Sequence, residues 1–301
     1  MNLQEGFISK VQRYSTKDGP GVRSTVFALG CNMKCLWCAN PELIADATTF
    51  LYHPRRCVGC GSCVAQSNGG IHLTEDGVEI DRDVADLEKV SVGCYYDAYE
   101  KIGVRVSSKE LAEELIKDKV FFDQSEGGIT FSGGEAGIQA DFFKEVTYYL
   151  KESNVHVALD TAGYLPWEKL ASLVKDVDLV LYDIKVLNRA IHKRYTGVDN
   201  QLILENAVKI SNMGKPLTVR MIIIPGVNDS EDEIMGRLKF AKHLGPSVNV
   251  DIIKYHKLGA GKYASLGMIE MMEGTEECSD ELAERALNMA RKLGISATVG
   301  V

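Results

Sequence analysis

The chain lacks the features that would direct it to a membrane or a nucleic acid. No apolar run approaches the roughly 20 residues of a membrane-spanning helix. The opening Met1-Asn2-Leu3-Gln4-Glu5-Gly6 has no basic stretch followed by an apolar one. No signal peptide is therefore expected, and a cytoplasmic location is. There is no basic run either: 42 Asp and Glu outnumber 34 Lys and Arg, for a net charge of −8. General nucleic-acid binding is not expected from such a balance, and a mildly acidic surface serves solubility. The rest is ordinary for a soluble globular protein, with 45% hydrophobic and 25% charged residues in 301. That length suits one large domain or two ordinary ones with a sizeable core.

Cysteine is what the chain does have. In a reducing compartment its eight cysteines are expected as metal ligands rather than disulfides. Seven fall into two groups: Cys31, Cys35 and Cys38, then Cys57, Cys60, Cys63 and Cys94. Cys278 stands alone and is expected as a packed thiol. The first group is the most informative feature, with the spacing C-x3-C-x2-C in Cys31-Asn-Met-Lys-Cys35-Leu-Trp-Cys38. Three soft thiolates this close can hold three irons of a [4Fe–4S] cluster and leave the fourth iron open to bind and reduce a small molecule. A zinc site or a reduced structural cluster are the alternatives at this octet, although zinc needs a fourth ligand and usually takes two separated pairs.

Strand-like and helix-like segments alternate from about residue 105 onward. Residues 128–132, 156–160, 179–185, 217–224 and 248–255 read as short apolar strands, and an earlier one, 22–29, runs into Cys31. Ser107 with Glu110 and Ser230 with Glu233 read as capping boxes, and 202–213 and 281–293 as helices. This order predicts an α/β fold, a partial parallel (β/α) barrel of about six units. Residues 46–104 break the rhythm and read as an insertion between 1–45 and 105–301. Polar residues close one strand after another: Cys31, Ser132 to Glu135, Asp160 with Thr161, Asp183 with Lys185, Arg220 and His256. Such a series marks the C-terminal mouth of a βα barrel, where these folds place their sites.

At this point a family resemblance is carried by many residues. Gly19-Pro-Gly-Val-Arg23, Phe27 and Gly30-Cys-Asn-Met-Lys-Cys-Leu-Trp-Cys-Ala-Asn-Pro-Glu42 resemble the signature of glycyl-radical enzyme activating enzymes, within the radical S-adenosylmethionine superfamily. Ser132-Gly-Gly-Glu135, Asp160-Thr-Ala-Gly163, Tyr182-Asp-Ile-Lys185, Thr196-Gly-Val198, Ile224-Pro-Gly-Val-Asn-Asp229 and the segment Tyr255 to Gly267 resemble its further motifs, in family order. Two positions depart from it, Ala136 and Lys254, where proline is usual.

The resemblance implies a cluster whose open iron binds S-adenosylmethionine, reductive cleavage of that cofactor, and hydrogen abstraction from a glycine Cα of a partner enzyme by the 5′-deoxyadenosyl radical. It implies that Gly133, Gly134 and Glu135 lie at the methionine end of the cofactor, Trp37 near adenine and His256 near ribose. Asp160, Thr161 and Asp183 would offer oxygens to a monovalent cation beside the cofactor carboxylate. Lys185 and Arg220 would face the anionic part of the cofactor or the developing charge. Asp18 and Gly19 would meet the partner's glycine loop. Flavodoxin or ferredoxin is the expected electron donor, and the chain is expected to be a monomer when free. For several of these residues ordinary packing, capping or ion pairing competes with the functional role.

In the insertion, Cys57-Val-Gly-Cys60-Gly-Ser-Cys63 matches the first three positions of a bacterial ferredoxin run, with Ser67 at the fourth. Cys94 resembles the end of a second run that has lost its first three cysteines. In two-cluster ferredoxins the last cysteine of each run ligates the other cluster, so the four that remain would bind one. A single auxiliary [4Fe–4S] cluster on Cys57, Cys60, Cys63 and Cys94 is expected, with zinc on the same thiolates as the rival. Two other functions stand against the main reading. One is a radical enzyme acting on a small molecule or another peptide, against which the Asp18 to Gly21 segment speaks. The other is an electron-transfer protein, which would need neither an open iron nor a glycine-lined strand end.

Overall fold

Apolar, β-branched runs bounded by glycine and polar turns favour buried strands, and they form the middle of one large sheet. The computed structural model describes residues 3–75 and 77–300. The strands are, in chain order, β1 (Glu5–Ser15), β2 (Arg23–Ala28), β3 (Thr49–Tyr52), β4 (Ile71–Thr74), β5 (Gly77–Ile80), β6 (Tyr99–Ile102), β7 (Val104–Ser107), β8 (Gly128–Gly133), β9 (Val157–Thr161), β10 (Leu179–Asp183), β11 (Leu217–Ile223), β12 (Asn249–Lys254) and β13 (Ala297–Gly300). Nine of them make one sheet in the order β13-β12-β11-β10-β9-β8-β2-β1-β7. From β2 through β13 every neighbour is parallel, while β1 is antiparallel to both β2 and β7.

The six expected strands are therefore present and parallel, and β13 extends the row. The sheet ends on β13 and β7 without closing, which leaves the barrel partial. Helices cross between successive strands, among them Ala140–Glu152, Trp167–Val174, Gln201–Asn212, Glu231–Leu244 and Asp280–Lys292. Their apolar faces and the sheet share one large core that includes Phe131, Phe143, Leu159, Val180, Val219 and Ile252. Ser107 and Glu110 form a complete capping box on helix Ser108–Ile116. The second box is half formed. Ser230 accepts from the Glu233 amide, but the Glu233 carboxylate is drawn away to the Leu187 and Asn188 amides, at 2.5 and 3.3 Å.

Between β2 and β7 the chain builds a separate small unit. β3 pairs antiparallel with β6, and β4 with β5. Two short helices, Ser62–Gln66 and Leu87–Gly93, complete it. Phe50, Tyr52, Ile71, Leu87, Val90, Ala98 and Tyr99 form its own core, against which Cys57, Cys63 and Cys94 pack.

Candidate active site

The cysteine loop leaves β2 through Gly30, whose φ of +93° suits a residue without a Cβ. Its backbone is tied on three sides. The Gly30 and Cys31 amides donate to the Leu43 and Ile44 carbonyls, each at 2.9 Å. The Lys34 and Leu36 amides donate to Thr196 and Tyr195, each at 2.9 Å. The Glu135 amide donates to the Gly30 carbonyl at 2.8 Å. This loop therefore rests directly on the turn after β8.

Register brings the other strand ends to the same mouth. Ala28 of β2 pairs with Gly133, Leu181 pairs with Asp160, and Asp183 pairs with Arg220. Gly133 and Gly134 owe their identity first to this packing. A Cβ on Gly133 would lie 2.4 Å from the Ala28 nitrogen, and one on Gly134 would lie 2.3 Å from the Gly30 oxygen. Glu135 is 2% exposed. Its carboxylate accepts from Thr161 Oγ1 at 2.8 Å and from the Gly137 and Ala162 amides at 3.1 Å. Burial pushes its pKa up to about 7, and these donors limit the rise. The Thr161 hydroxyl also accepts from the Gly163 amide, at 2.9 Å.

Charged side chains line the interior in pairs. Arg220 Nη1 lies 3.0 Å from Asp160 Oδ2, which also accepts from Ser132 Oγ at 2.7 Å. Burial raises the Asp160 carboxyl against the opposing pull of Arg220. Burial works against the charge on Arg220, but Asp160, Asp183 and Asp18 more than offset it and raise the guanidinium pKa. Lys185 Nζ lies 2.6 Å from Asp183 Oδ2. Burial opposes its charge too, and Asp183, Cys35 and Asp160 hold it well above the ordinary lysine value.

The same ammonium lies within electrostatic reach of all three loop thiols. Burial pushes Cys31 up to about 11 and Cys35 up to about 12. Burial raises Cys38 as well. Thiols this buried ionise only against a cationic partner, and a metal centre is one. Among the described residues no three His, Cys, Asp or Glu side chains converge on a single metal ion.

Trp37, Cys38, Tyr255, His256 and Tyr263 line one crevice at this mouth. Trp37 is 8% exposed and packs against Tyr195, with ring centroids 6.0 Å apart. Asp18 lies on the turn between β1 and β2. Its Oδ2 accepts from Ser15 Oγ at 2.6 Å and Thr25 Oγ1 at 2.7 Å, and its carbonyl accepts from Thr130 at 2.6 Å. Gly19 follows with φ +119°. In the insertion, Cys57, Cys60, Cys63 and Cys94 line one cavity with Tyr99. Burial and the nearby cysteines keep the Tyr52 and Tyr99 phenols protonated; Tyr52 faces Cys57, and Tyr99 faces Cys63. The Tyr99 hydroxyl has no hydrogen-bond partner of good geometry, and a cluster sulfur would be an acceptor for it.

Sequence reading missed the groups that brace the mouth. Asn228 Nδ2 and Arg237 Nη1 donate to the Lys185 carbonyl at 2.8 and 3.2 Å. Tyr263 Oη donates to the Cys38 carbonyl at 3.0 Å. Asn228 and Tyr263 stood inside quoted motifs, but nothing local says which carbonyl a side chain will find.

Comparison with known proteins agrees with this arrangement. The Radical SAM superfamily description matches residues 25–238. The choline trimethylamine-lyase activating enzyme of Oleidesulfovibrio alaskensis is 32% identical over 98% of this chain and 98% of its own. The isethionate sulfite-lyase activating enzyme of Nitratidesulfovibrio vulgaris is 37% identical over 86% of each chain. Among solved structures, Streptococcus suis SuiB bound to precursor peptide SuiA superposes with a TM-score of 0.55 at 10% identity, covering 92% of this chain and 48% of that one; it supports the fold alone. The chain belongs to the radical SAM superfamily, among the activating enzymes of glycyl-radical enzymes.

Proposed function

We propose that Cys31, Cys35 and Cys38 hold the [4Fe–4S] cluster that the family implies, and that the radical made beside it is passed to a glycine of a partner enzyme. The observation that carries this reading is the seating of the Cys31 to Cys38 loop on the glycine turn after β8, at the C-terminal mouth of a parallel sheet, with the Lys185 ammonium near its thiols. When bound, the cluster supplies the electron that cleaves S-adenosylmethionine.

The chain's own residues do the rest. Lys185 offsets the negative charge of the thiolate set and is itself fixed by Asp183. Glu135, braced by Thr161, holds the Gly133–Gly134 turn where the methionine end of the cofactor would lie. Trp37 and His256 border the crevice assigned to adenine and ribose. Arg220 is the cation for the cofactor's anionic end. Asp160, Thr161 and Asp183 offer oxygens to a monovalent cation. Asp18 and Gly19 receive the partner's glycine loop. The reaction requires a site that excludes water and holds a primary radical against one C–H bond.

The proposal extends to the insertion. Residues 46–104 form a ferredoxin-like unit carrying one auxiliary [4Fe–4S] cluster on Cys57, Cys60, Cys63 and Cys94, with flavodoxin or ferredoxin as electron donor. The shared cavity of these four cysteines supports it. Anaerobic reconstitution tests both parts. Roughly eight irons per chain are expected, and about four would remove the auxiliary cluster. Reduced protein with S-adenosylmethionine should yield 5′-deoxyadenosine, and Cys35→Ala should yield none. Mixed with a glycyl-radical enzyme encoded beside it, the wild type should produce a glycyl-radical resonance. Asp18→Ala should lose most of that resonance while 5′-deoxyadenosine formation without partner is unchanged. Cofactor cleavage with no such radical on any candidate partner would favour a small-molecule substrate.

A further inference from the structure

One short helix, Ala260–Leu266, touches both cysteine groups' surroundings, although its sequence lies far from either. Toward the catalytic loop it makes three kinds of contact. Tyr263 Oη donates to the Cys38 carbonyl at 3.0 Å. Lys262 Nζ donates to Asn40 Oδ1 at 2.7 Å and pairs with the buried Glu42 at 2.6 Å. Gly259, just before the helix, packs so tightly that a Cβ there would lie 2.8 Å from Ala39 Cα. Segment 38–42, the arm that carries the third cysteine, is thus gripped along its length.

The other side of the helix faces the insertion. Arg82, which follows β5, donates from Nη1 to the Phe50 carbonyl at 2.8 Å and from Nη2 to the Ser265 carbonyl at 2.7 Å. The planar guanidinium spans two carbonyls at once, which a lysine ammonium on the same stem does less well. Phe50 belongs to the core packed against Cys57, Cys63 and Cys94. Leu266 completes the link, sharing one apolar cluster with Leu29 and Leu43 of the catalytic side and Leu51 and Ile102 of the insertion. A helix of seven residues is too short to be stable alone, so its position depends on these two sets of contacts.

We propose that this helix is a strut through which the insertion fixes the Cys38 arm, with Arg82 and Tyr263 acting as positioning residues for cleavage of S-adenosylmethionine. The inference rests on the assignment of Cys31, Cys35 and Cys38 to the catalytic cluster. Tyr263 holds the peptide plane that follows Cys38, so it fixes the backbone from which that side chain would reach the cluster. Arg82 passes the rigidity of the insertion to the carbonyl of Ser265, two residues further along the same helix.

The test uses the full-length reconstituted protein in four forms: wild type, Arg82→Lys, Tyr263→Phe and the double variant. The readouts are KM and kcat for S-adenosylmethionine in 5′-deoxyadenosine formation, and the electron paramagnetic resonance line shape of the reduced cluster with the cofactor added. Each single variant should raise KM about fivefold, the effect of one lost hydrogen bond, and alter the cofactor-bound line shape at unchanged iron content. The double variant should be no worse than the poorer single one, because both act through one strut. Multiplying effects, or an Arg82→Lys protein with wild-type KM and line shape, would overturn the proposal. If Arg82→Lys yields no soluble holoprotein, Leu266→Ala takes its place with the same expectation. Cys38→Ala separates the two layers of argument. Loss of the catalytic signal is expected; its retention would defeat the cluster assignment beneath the strut.

Discussion

A carboxylate as deeply buried as that of Glu135 persists only because donors surround it. Thr161 supplies its hydroxyl and two backbone amides supply the rest. Removing that hydroxyl with Thr161→Val keeps the side-chain volume and should cost about 2 kcal/mol, the range for a bond to a charged group, measured by urea unfolding of the apoprotein. The pH dependence has a definite sign. The folded-state pKa of about 7 stands above the ordinary 4.5. The folded chain therefore holds an extra proton between those values, and stability falls as pH rises through that window, then levels off. Glu135→Gln cannot titrate, so its melting temperature between pH 5 and 8 should lack this downward component. An identical slope in the variant would assign the effect elsewhere. That Glu135 would stand at a strand's end was legible in Gly-Gly-Glu. That Thr161 would brace it depends on β8 and β9 being neighbours, and no local pattern carries that.

At the level of elements, sequence patterns succeeded where one rule governed and failed where two competed. The central strands are buried on both faces and read as continuous apolar runs. β1 was missed because several of its residues are polar and exposed, including Glu5, Lys10, Gln12 and Arg13; it is held by pairing with β2 and β7. The Ser107 box formed because nothing else bids for Glu110, whereas Glu233 answers to the amides of Leu187 and Asn188. The glycine turn after β8 illustrates the same competition. Beside the expected approach to a ligand there is a packing demand: the backbone of Gly30 and Leu43 fills the Cβ direction of Gly134, at 2.3 and 2.7 Å. Gly134→Ala should therefore push the cysteine loop off its seat, costing about 1–3 kcal/mol as overpacking does. Iron bound after reconstitution should fall well below that of the wild type. Full iron binding with weakened cofactor binding would instead mean that the turn yields toward the cofactor.

Over the whole molecule, two cores of very different size stand side by side. The large sheet and its helices bury dozens of apolar side chains, of which Cys278 is the one cysteine. The insertion relies on seven buried residues, one of them an alanine, with three cysteines packed at their edge. A unit that small rarely stabilises itself without a metal or other covalent staple, and metal binding then becomes folding free energy. Removing iron should accordingly divide the protein. The parallel sheet should persist, with far-ultraviolet circular dichroism nearly unchanged, while the insertion opens. Arg55 and Arg56, exposed beside Cys57, give trypsin a place to report this. Limited digestion of the iron-free protein should cut there first and leave a protected fragment from the start of β7 onward. The reconstituted protein should resist under the same conditions. Equal resistance in both states would mean that the apolar residues of the insertion suffice on their own, and that its four cysteines serve something other than its folding.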